Sequence, residues 1–220
     1  MLSKHQFQLL LNLKNKTEKT NQRAIAEELG FSLGTVNKLI QEAEQQKWIT
    51  SEYELTEQGL QASEPYHVEN AIIMAAGMST RFAPLSYEAP KGLLVVKGER
   101  LIEREIKQLS EAGIKKITVV VGYMKEKMFY LADKFGVEIV VNEDYYRFNN
   151  CSSLMVVREQ LGNTYICSSD NYFVENPFEE YVYRGYYSTV FAQGETDEYC
   201  VVESPDGTIR EVTIGGENKW

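Results

Sequence analysis

The sequence predicts an α/β protein in which a mainly parallel, three-layer sheet follows a small helical domain. Three observations support this. Apolar residues recur at helical spacing up to about residue 62, a short polar segment without periodicity follows, and from residue 70 onward β-branched runs alternate with helical stretches. A chain of 220 residues, 43% of them hydrophobic, is long enough for two modest domains with separate cores.

Residues 1–62 are predicted to form three helices, two of which make a helix-turn-helix. Apolar side chains recur about every three or four residues in three successive stretches. Gly30 stands where the residue after a helix is expected, and Ser32 is a typical N-cap. Helices over 23–29 and 33–46, separated by this three-residue turn, would therefore pack as a helix-turn-helix.

A wing is predicted directly after the second of these helices. Strand-like runs over 48–50 and 53–55 flank a polar turn, and a Leu-Thr-x-x-Gly stretch closes the block. In this order the block resembles the winged helix-turn-helix domains of bacterial regulators, which implies a DNA contact, a protein partner or a homodimer. The DNA-contact candidates lie near the start of the recognition helix: Ser32, Thr35, Asn37 and Lys38. Seven basic and nine acidic residues in positions 1–64 are unfavourable for DNA, so DNA and protein partners both stay open.

A linker over residues 63–69 and a second domain over residues 70–220 are predicted next. Strands and helices alternate in that domain, with strands over 71–75, 117–121 and 137–141 and helices over 101–112 and 125–135. Gly113 and Gly136 follow the two helices as terminating residues do. This alternation predicts βαβ units and a three-layer sheet. Antiparallel strands are then expected over 187–192, 198–203 and 209–214, with a turn at 205–207.

Charge, cysteines and hydropathy predict a soluble cytoplasmic protein. The net charge of −9 excludes a general attraction to nucleic acid or anionic lipid. Cys151, Cys167 and Cys200 are odd in number and widely spaced, which provides neither a disulfide framework nor a Cys-x-x-Cys metal site. The first residues lack a signal-peptide pattern, and no apolar run approaches the ~18 residues that span a bilayer.

The loop after the first predicted sheet strand contains the most informative motif. Residues 73–82 are Ile-Met-Ala-Ala-Gly-Met-Ser-Thr-Arg-Phe, followed by Pro84-Leu85 and Pro90-Lys91. Small side chains at 75–77 let backbone N–H groups approach a phosphate, and the next polar residues add donors. The loop is neither a P-loop nor a Gly-x-Gly-x-x-Gly dinucleotide motif, and an ordinary βα turn is the alternative.

This loop resembles the signature of the nucleotidyltransferases that join an NTP to a sugar phosphate or alcohol phosphate. That signature is Ala-Ala-Gly-x-Gly-(Ser/Thr)-Arg, then Pro-Leu, then Pro-Lys, and this chain departs from it at Ser79, where the family usually has Gly. The resemblance runs from about Asn70 to the end of the chain and includes Val121-Gly122-Tyr123, Asn149-Asn150, Ser153-Leu154 and Ser169-Asp170-Asn171-Tyr172. The combination is most similar to bacterial choline-phosphate cytidylyltransferases. The resemblance implies a Rossmann-like nucleotidyltransferase sheet and transfer of CMP from CTP to phosphocholine with release of pyrophosphate.

Three residues are the catalytic candidates. Nucleotidyl transfer builds charge on phosphate oxygens, so cations and N–H donors are the main tools. Arg81 would clamp the β- and γ-phosphates as a planar fork, and Lys91 would neutralise the α-phosphate and the acceptor phosphate. Asp170 follows a predicted strand over 164–167 and would hold Mg²⁺; its alternative role is a helix N-cap.

Contacts to the nucleotide and to the acceptor are expected from two further sets of residues. The nucleotide-binding candidates are Ala75, Ala76, Gly77, Met78, Ser79, Thr80, Arg81, Lys91, Gly122, Tyr123 and Asn142. A quaternary ammonium is recognised by aromatic faces, and 14 of the 220 residues are Tyr. The acceptor-binding candidates are Asn150, Tyr172, Tyr187 and Tyr199. The alternative for each tyrosine is that its ring packs in the protein interior while its hydroxyl contacts solvent.

Two other functions stay open at this point. A sugar-1-phosphate or other alcohol-phosphate nucleotidyltransferase would use the same loop, and a DNA-binding regulator could use a similar domain only to sense nucleotide or phosphocholine. The family's sheet continues past its Ile-Gly-Gly-x-x-x-Trp segment and supplies a second metal carboxylate there, so the domain is expected to be truncated at its C-terminus. The presence of Arg81, Lys91 and Asp170 favours the enzyme.

Overall fold

A computed structural model describes residues 1–16, 19–148 and 150–220. The chain divides into two compact units, residues 1–183 and 184–220. This division differs from the predicted one, because the helical domain and the parallel sheet fall in the same unit. The confirmed part of the prediction is the fold class, a parallel sheet with flanking helices that follows a helix-turn-helix.

The N-terminal part of the first unit is helical. Its helices are α1 (Lys4–Lys14), α2 (Gln22–Leu29), α3 (Leu33–Gln45) and α4 (Glu57–Ser63). As predicted, Gly30 ends α2 in a left-handed conformation (φ 66°), and the Ser32 side chain accepts a hydrogen bond from the backbone N–H of Thr35 at the start of α3. The wing is shorter than predicted. A single bridge joins Ile49 to Leu55, because Tyr53 adopts a left-handed conformation (φ 64°) that interrupts the second extended run.

Residues 63–69, predicted as a linker, are packed against the rest of the first unit. A short 3₁₀ helix spans Glu64–Tyr66, and the side chains of Tyr66 and Val68 are buried. The ring of Tyr66 contacts those of Phe7 and Tyr183 at centroid distances of 5.0 and 5.7 Å, and its hydroxyl accepts the backbone N–H of Leu2 at 2.7 Å. The segment therefore joins two packed regions instead of forming a solvated spacer.

The sheet of the first unit contains four parallel strands. They are β1 (Asn70–Ala75), β4 (Ile117–Val121), β5 (Glu138–Val141) and β6 (Thr164–Ser168), and a small antiparallel ladder pairs β2 (Val95–Val96) with β3 (Glu99–Arg100). The spatial order is β5-β4-β1-β6, with Ile72 of β1 between Thr118 and Ile166. Along the chain, β4 and β5 are thus added on one side of β1, and β6 then pairs with the other side of β1.

Three helices flank this sheet: α5 (Leu101–Glu111), α6 (Tyr130–Phe135) and α7 (Asn150–Met155). The larger core includes Ile73, Val119, Ile106 and Leu131 and lies between one sheet face and the helices α5 and α6. Apolar residues that alternate along the strands and recur every three or four positions in α5 explain this burial. On the opposite face, Val157 just after α7 packs with strand side chains.

The structure differs from the prediction for this region at two places. The helix predicted over 125–135 is divided into a 3₁₀ turn over Lys125–Lys127 and α6, and Met124 before the turn is left-handed (φ 50°). The helix α7 was not predicted, because its six residues are too few to show helical periodicity. Gly113 and Gly136, by contrast, take the expected left-handed conformations after α5 and α6.

The second unit is a long antiparallel hairpin. It pairs β7 (Ala192–Glu203) with β8 (Ile209–Lys219), and Tyr199 lies opposite Ile214. The turn at residues 205–207 is confirmed, but the strand predicted over 187–192 begins only at Ala192. The antiparallel strands predicted over 198–203 and 209–214 are confirmed within β7 and β8, which in the described residues pair with each other as a sheet of their own. Within the described ranges, no helix is long and apolar enough to cross a membrane.

Candidate active site

The candidate site lies at the carboxyl ends of β1 and β6. These strands are neighbours in the sheet, although β1 is the first and β6 the last of the four along the chain. The chain leaves β1 towards β4 on one side, so the loops after β1 and β6 lead in different directions. In open parallel sheets, ligands bind in the crevice at such a point. By this rule, the crevice is expected between the loop that begins at Ala76, after β1, and the turn at Ser169 and Asp170, after β6.

The loop after β1 leaves its backbone accessible at Gly77. A Cβ added there would have no atom within 4 Å, and the residue is not left-handed, so neither packing nor backbone conformation requires glycine at this position. Glycine leaves this backbone open to solvent, which the predicted phosphate contact requires. Gly122 is different, because an added Cβ would lie 2.7 Å from Tyr145 and 2.9 Å from the Ala76 carbonyl oxygen. The Tyr123 N–H donates to the same carbonyl at 3.1 Å and joins the two loops.

Ser79 stands at the position where the nucleotidyltransferase signature usually has Gly. Its backbone is left-handed, with φ 52° and ψ 39°, and begins the 3₁₀ helix Thr80–Phe82 that carries the exposed side chain of Arg81. A residue with a Cβ pays a steric cost in this conformation that glycine avoids. Serine at position 79 therefore keeps the left-handed backbone of the loop, but the folded protein is less stable than it would be with glycine there.

Replacing Ser79 with glycine is expected to stabilise the protein by about 0.5–1 kcal/mol, the relief of left-handed strain less the added freedom of the unfolded chain. Urea unfolding at neutral pH measures the change. Ser110→Gly is the matched control, because Ser110 lies in α5 and glycine in a helix is destabilising by a similar amount. A Ser79→Gly variant that is less stable than the parent would contradict the strain argument.

Lys91 and Asp170 come together across the crevice. The Lys91 Nζ lies 2.5 Å from Asp170 Oδ2, and both side chains are about one-third exposed, at 36% and 33%. Gly92 permits this approach, because a Cβ there would lie 2.9 Å from Ser169 Cβ and 3.0 Å from the Ser169 carbonyl oxygen. The pair remains open to solvent, so incoming phosphates or a cation can reach both groups.

Asp170 lies in a turn and not at the start of a helix. The Asn171 N–H donates to the Ser168 carbonyl at 3.2 Å, and the residues that follow have no regular structure. The alternative role of a helix N-cap is therefore excluded. Its carboxylate points towards Lys91 at the mouth of the crevice, where a metal ligand is expected.

The side chains at this site fit Mg²⁺ only together with oxygens of the substrate. In the part of the chain that the structure describes, no three His, Cys, Asp or Glu side chains gather as a metal cluster. Mg²⁺ is usually held by one or two carboxylates together with substrate phosphates and water. One accessible carboxylate beside a loop suited to phosphates fits that donor set if the nucleotide supplies further oxygens.

Asn142 is used inside the protein. It is 1% exposed, and its Nδ2 donates to the hydroxyls of Ser152 and Ser153 while its Oδ1 accepts the Asp144 N–H. Its buried amide therefore holds the loop after β5 to α7, which argues against the predicted nucleotide contact. Asn150 is exposed at the start of α7. The neighbouring Asn149 lies outside the described residues.

The tyrosines proposed for the acceptor belong to two different units of the chain, Tyr172 to the first and Tyr187 and Tyr199 to the second. Tyr172 faces cations of the protein, with the Arg104 guanidinium carbon 4.9 Å and Lys97 Nζ 5.7 Å from its ring centroid. Another ammonium on the same ring would meet like charge, which argues against its predicted role. Tyr187 and Tyr199 lie in the hairpin unit and are highly exposed. Other tyrosines, such as Tyr66, pack in the first unit.

Glu105 is a buried acid that the sequence analysis missed. It lies in α5 with 1% exposure, and among residues 1–16, 19–148 and 150–220 neither carboxylate oxygen has a hydrogen-bond partner. Burial, with a smaller contribution from the negative charge of Asp170, raises the pKa of Glu105 to about 8. Burial also raises the pKa of the neighbouring Cys167 thiol. The available signal was a Glu between Ile102 and Ile106 on the apolar stripe of α5.

Comparison with known proteins identifies two family matches. Residues 71–204 match the MobA-like NTP transferase domain, and residues 8–66 match the family described as wHTH-PRTase associated.

Several relatives of this chain are cytidylyltransferases. The choline-phosphate cytidylyltransferase of Streptococcus pneumoniae is 39% identical over 144 residues, which are 66% of this chain and 63% of that protein. The 2-aminoethylphosphonate cytidylyltransferase of Lancefieldella rimae is 37% identical over 155 residues, which are 69% of this chain and 63% of that protein. The solved structure of CTP:phosphocholine cytidylyltransferase from Streptococcus pneumoniae matches with a TM-score of 0.65 and 39% identity, over 68% of this chain and 65% of that one. The chain thus spans just under two thirds of the length of these relatives.

Proposed function

The chain belongs to the MobA-like NTP transferase family, and we propose that it transfers CMP from CTP to phosphocholine with release of pyrophosphate. The observation that supports this most is the Lys91–Asp170 pair, which joins the segment after β1 to the turn after β6 at the carboxyl edge of a parallel sheet. The 39% identity to a choline-phosphate cytidylyltransferase supports the choice of substrates.

In the proposed reaction, an oxygen of the phosphocholine phosphate attacks the α-phosphorus of CTP. A bond forms between that oxygen and phosphorus while the bond to the β-phosphate bridging oxygen breaks, and pyrophosphate leaves with its electron pair. The acceptor phosphate is already anionic at neutral pH, so no general base is needed. The site must instead hold the acceptor phosphate, the α-phosphate and the leaving pyrophosphate in line. It must also stabilise the negative charge that moves between them.

Individual roles follow from position and chemistry. Lys91, at the mouth of the crevice, would neutralise the α-phosphate and the acceptor phosphate. Arg81 would bind the β- and γ-phosphates from the exposed 3₁₀ helix, with the backbone of Ala76 and Gly77 alongside. Asp170 would hold Mg²⁺, which supplies positive charge to the phosphate oxygens when bound. Each group lies on a loop that a sheet strand positions at one end.

The acceptor is the less constrained part of the proposal. One relative is specific by name for 2-aminoethylphosphonate, which shares with phosphocholine a short chain that joins a cationic nitrogen to a phosphorus oxyanion. Phosphocholine is favoured by the higher identity of its relative, 39% against 37%. A cytoplasmic setting is proposed with it, since Cys151, Cys167 and Cys200 are free thiols.

A pyrophosphate-release assay tests the proposed function. The purified 220-residue chain is supplied with CTP and Mg²⁺ and with phosphocholine, 2-aminoethylphosphonate or glucose 1-phosphate in turn. Phosphocholine is expected to give the highest kcat/KM. A higher value for another acceptor would overturn the choice of acceptor. Binding of CTP without release of pyrophosphate from any mixture would overturn the transferase and favour a nucleotide sensor.

The helix α3 of the winged helix is proposed to contact a macromolecular partner. Ser32, Asn37 and Lys38 are exposed there, although Lys38 lies 3.9 Å from Glu42 and Asn37 donates to Gln22. Thr35 bonds to the Ser32 hydroxyl. With its excess of acidic residues, this region suits a protein partner or a second copy better than DNA. Sedimentation of the chain alone and titration with duplex DNA at low salt distinguish these partners.

A further inference from the structure

We propose that Arg104 is a positioning residue for Asp170, an inference that rests on the proposed nucleotidyl transfer. Arg104 lies in α5, and its side chain crosses to the segment directly after the turn that holds Asp170. Its Nε donates to the Phe173 carbonyl at 2.9 Å and its Nη2 to the Val174 carbonyl at 2.7 Å. These carbonyls belong to the third and fourth residues after Asp170.

The segment depends on such an anchor because it lacks regular structure. On its upstream side, Asp170 is held by β6 and by the Ser169 N–H, which donates to the Met74 carbonyl at 3.3 Å. Downstream, residues 171–174 form neither helix nor strand. The Arg104 guanidinium binds two consecutive carbonyls, and the Gln108 amide also donates to the first of them, that of Phe173, at 3.2 Å. The paired contacts of Arg104 fix both the direction and the distance of the chain as it leaves Asp170.

Arg104 is itself held in place from two sides. Its Nη1 donates to the Glu99 carboxylate at 2.9 Å, and the face of the guanidinium lies on the Tyr172 ring at 4.9 Å. Three donor nitrogens and one planar face are therefore all in use, and the side chain is 22% exposed. Lysine has a single nitrogen and no planar face, so it keeps the charge but cannot reproduce this set of contacts.

The expected consequence is a shift of the Asp170 carboxylate relative to Lys91. A displacement of about 1 Å in a reacting group can reduce turnover about a hundredfold, and loss of a residue that orients a metal ligand commonly reduces metal affinity tenfold or more. Tyr172 then acts as the platform for Arg104, which explains why a protein cation faces its ring.

Arg104→Lys and Arg104→Ala test the inference, with Arg100→Ala as a matched control. Arg100 lies on the ring of Tyr130 at 5.2 Å and donates to the Glu103 carboxylate, so it has the same kinds of contact away from Asp170. The dissociation constant of CTP is measured with Mn²⁺ and with EDTA, alongside kcat, KM and thermal unfolding. Both Arg104 variants are expected to lose about tenfold of the Mn²⁺-dependent gain in CTP affinity and to lower kcat, and Arg100→Ala to retain both.

The outcomes separate this inference from the function on which it rests. If the unaltered chain neither binds CTP nor releases pyrophosphate, the proposed function fails and the inference fails with it. If the unaltered chain shows a Mn²⁺-dependent gain that folded Arg104→Lys retains in full, the inference alone is overturned. A loss of the gain in Arg100→Ala as large as that in Arg104→Lys would also overturn it, because general weakening of α5 would then explain both.

Discussion

Asp170→Asn is expected to reduce kcat for pyrophosphate release from CTP and phosphocholine by about a thousandfold or more. The substitution preserves the size of the side chain but removes the negative charge that pairs with Lys91 at 2.5 Å and that would bind Mg²⁺. Loss of one electrostatic group at a site of developing phosphate charge typically reduces turnover a hundredfold to a thousandfold, and loss of the bound cation adds to that. The fold is expected to survive, because the side chain is one-third exposed.

Asp133→Asn is the control for this prediction, because Asp133 is exposed on α6 and removal of its charge leaves the crevice unchanged. Turnover is measured over a range of Mg²⁺ concentrations, and circular dichroism reports the fold. If Asp170→Asn retains the turnover and Mg²⁺ dependence of the Asp133→Asn variant, Asp170 is not part of the site.

Glu105→Gln is expected to stabilise the protein, and increasingly so as the pH rises from 5 to 8. Because burial raises the pKa of Glu105 to about 8 from an ordinary value of 4.5, the folded protein holds a proton that the unfolded chain releases in this range. Stability conferred by the native acid therefore falls as pH rises, by about 3 kcal/mol between pH 5 and 8. Glutamine has no proton to lose and avoids this loss.

The neighbouring Glu103 supplies a control of opposite sign. Burial acts to raise its pKa, but hydrogen bonds from Lys134 and Tyr130 outweigh burial, so the pKa of Glu103 is lowered. Its stabilising contribution is present above pH 4.5 and is lost as the pH falls through the lowered pKa, so Glu103→Gln is expected to destabilise about equally at pH 6 and pH 8. Urea unfolding across this range measures both variants. A Glu105→Gln stability change that is independent of pH would show that Glu105 is ionised in the folded protein.

Local patterns in the sequence predicted most elements of the fold. The β-branched run over 117–121 is a strand with those bounds, and the glycines at 30, 113 and 136 end helices as expected. The division of the helix over 125–135 and the short α7 were missed, because neither changes the hydrophobic period over enough residues to be seen.

The candidate site was only partly predictable for a related reason. Arg81, Lys91 and Asp170 stay predictions: the first two match the nucleotidyltransferase signature, and the third follows a strand that ends where ligands bind in parallel sheets. Asn142 and Tyr172 have side chains equally suited to ligand binding. However, the Asn142 amide already makes buried hydrogen bonds, and the Tyr172 ring already contacts the Arg104 guanidinium. Chemical suitability alone does not show whether a polar or aromatic side chain is already occupied.

By itself, the sequence determined which segments form strands and helices, where the phosphate loop lies and which family the chain resembles, because these depend on neighbours within about ten residues. Only the tertiary structure decided that Lys91 meets Asp170 from 79 positions away, that Glu105 is buried without a partner and that Arg104 holds the chain after the proposed metal ligand. Those contacts depend on β1 and β6 being neighbours and on α5 packing against the sheet. Strand order and helix packing cannot be read from local sequence patterns, because they join residues that are far apart in the chain.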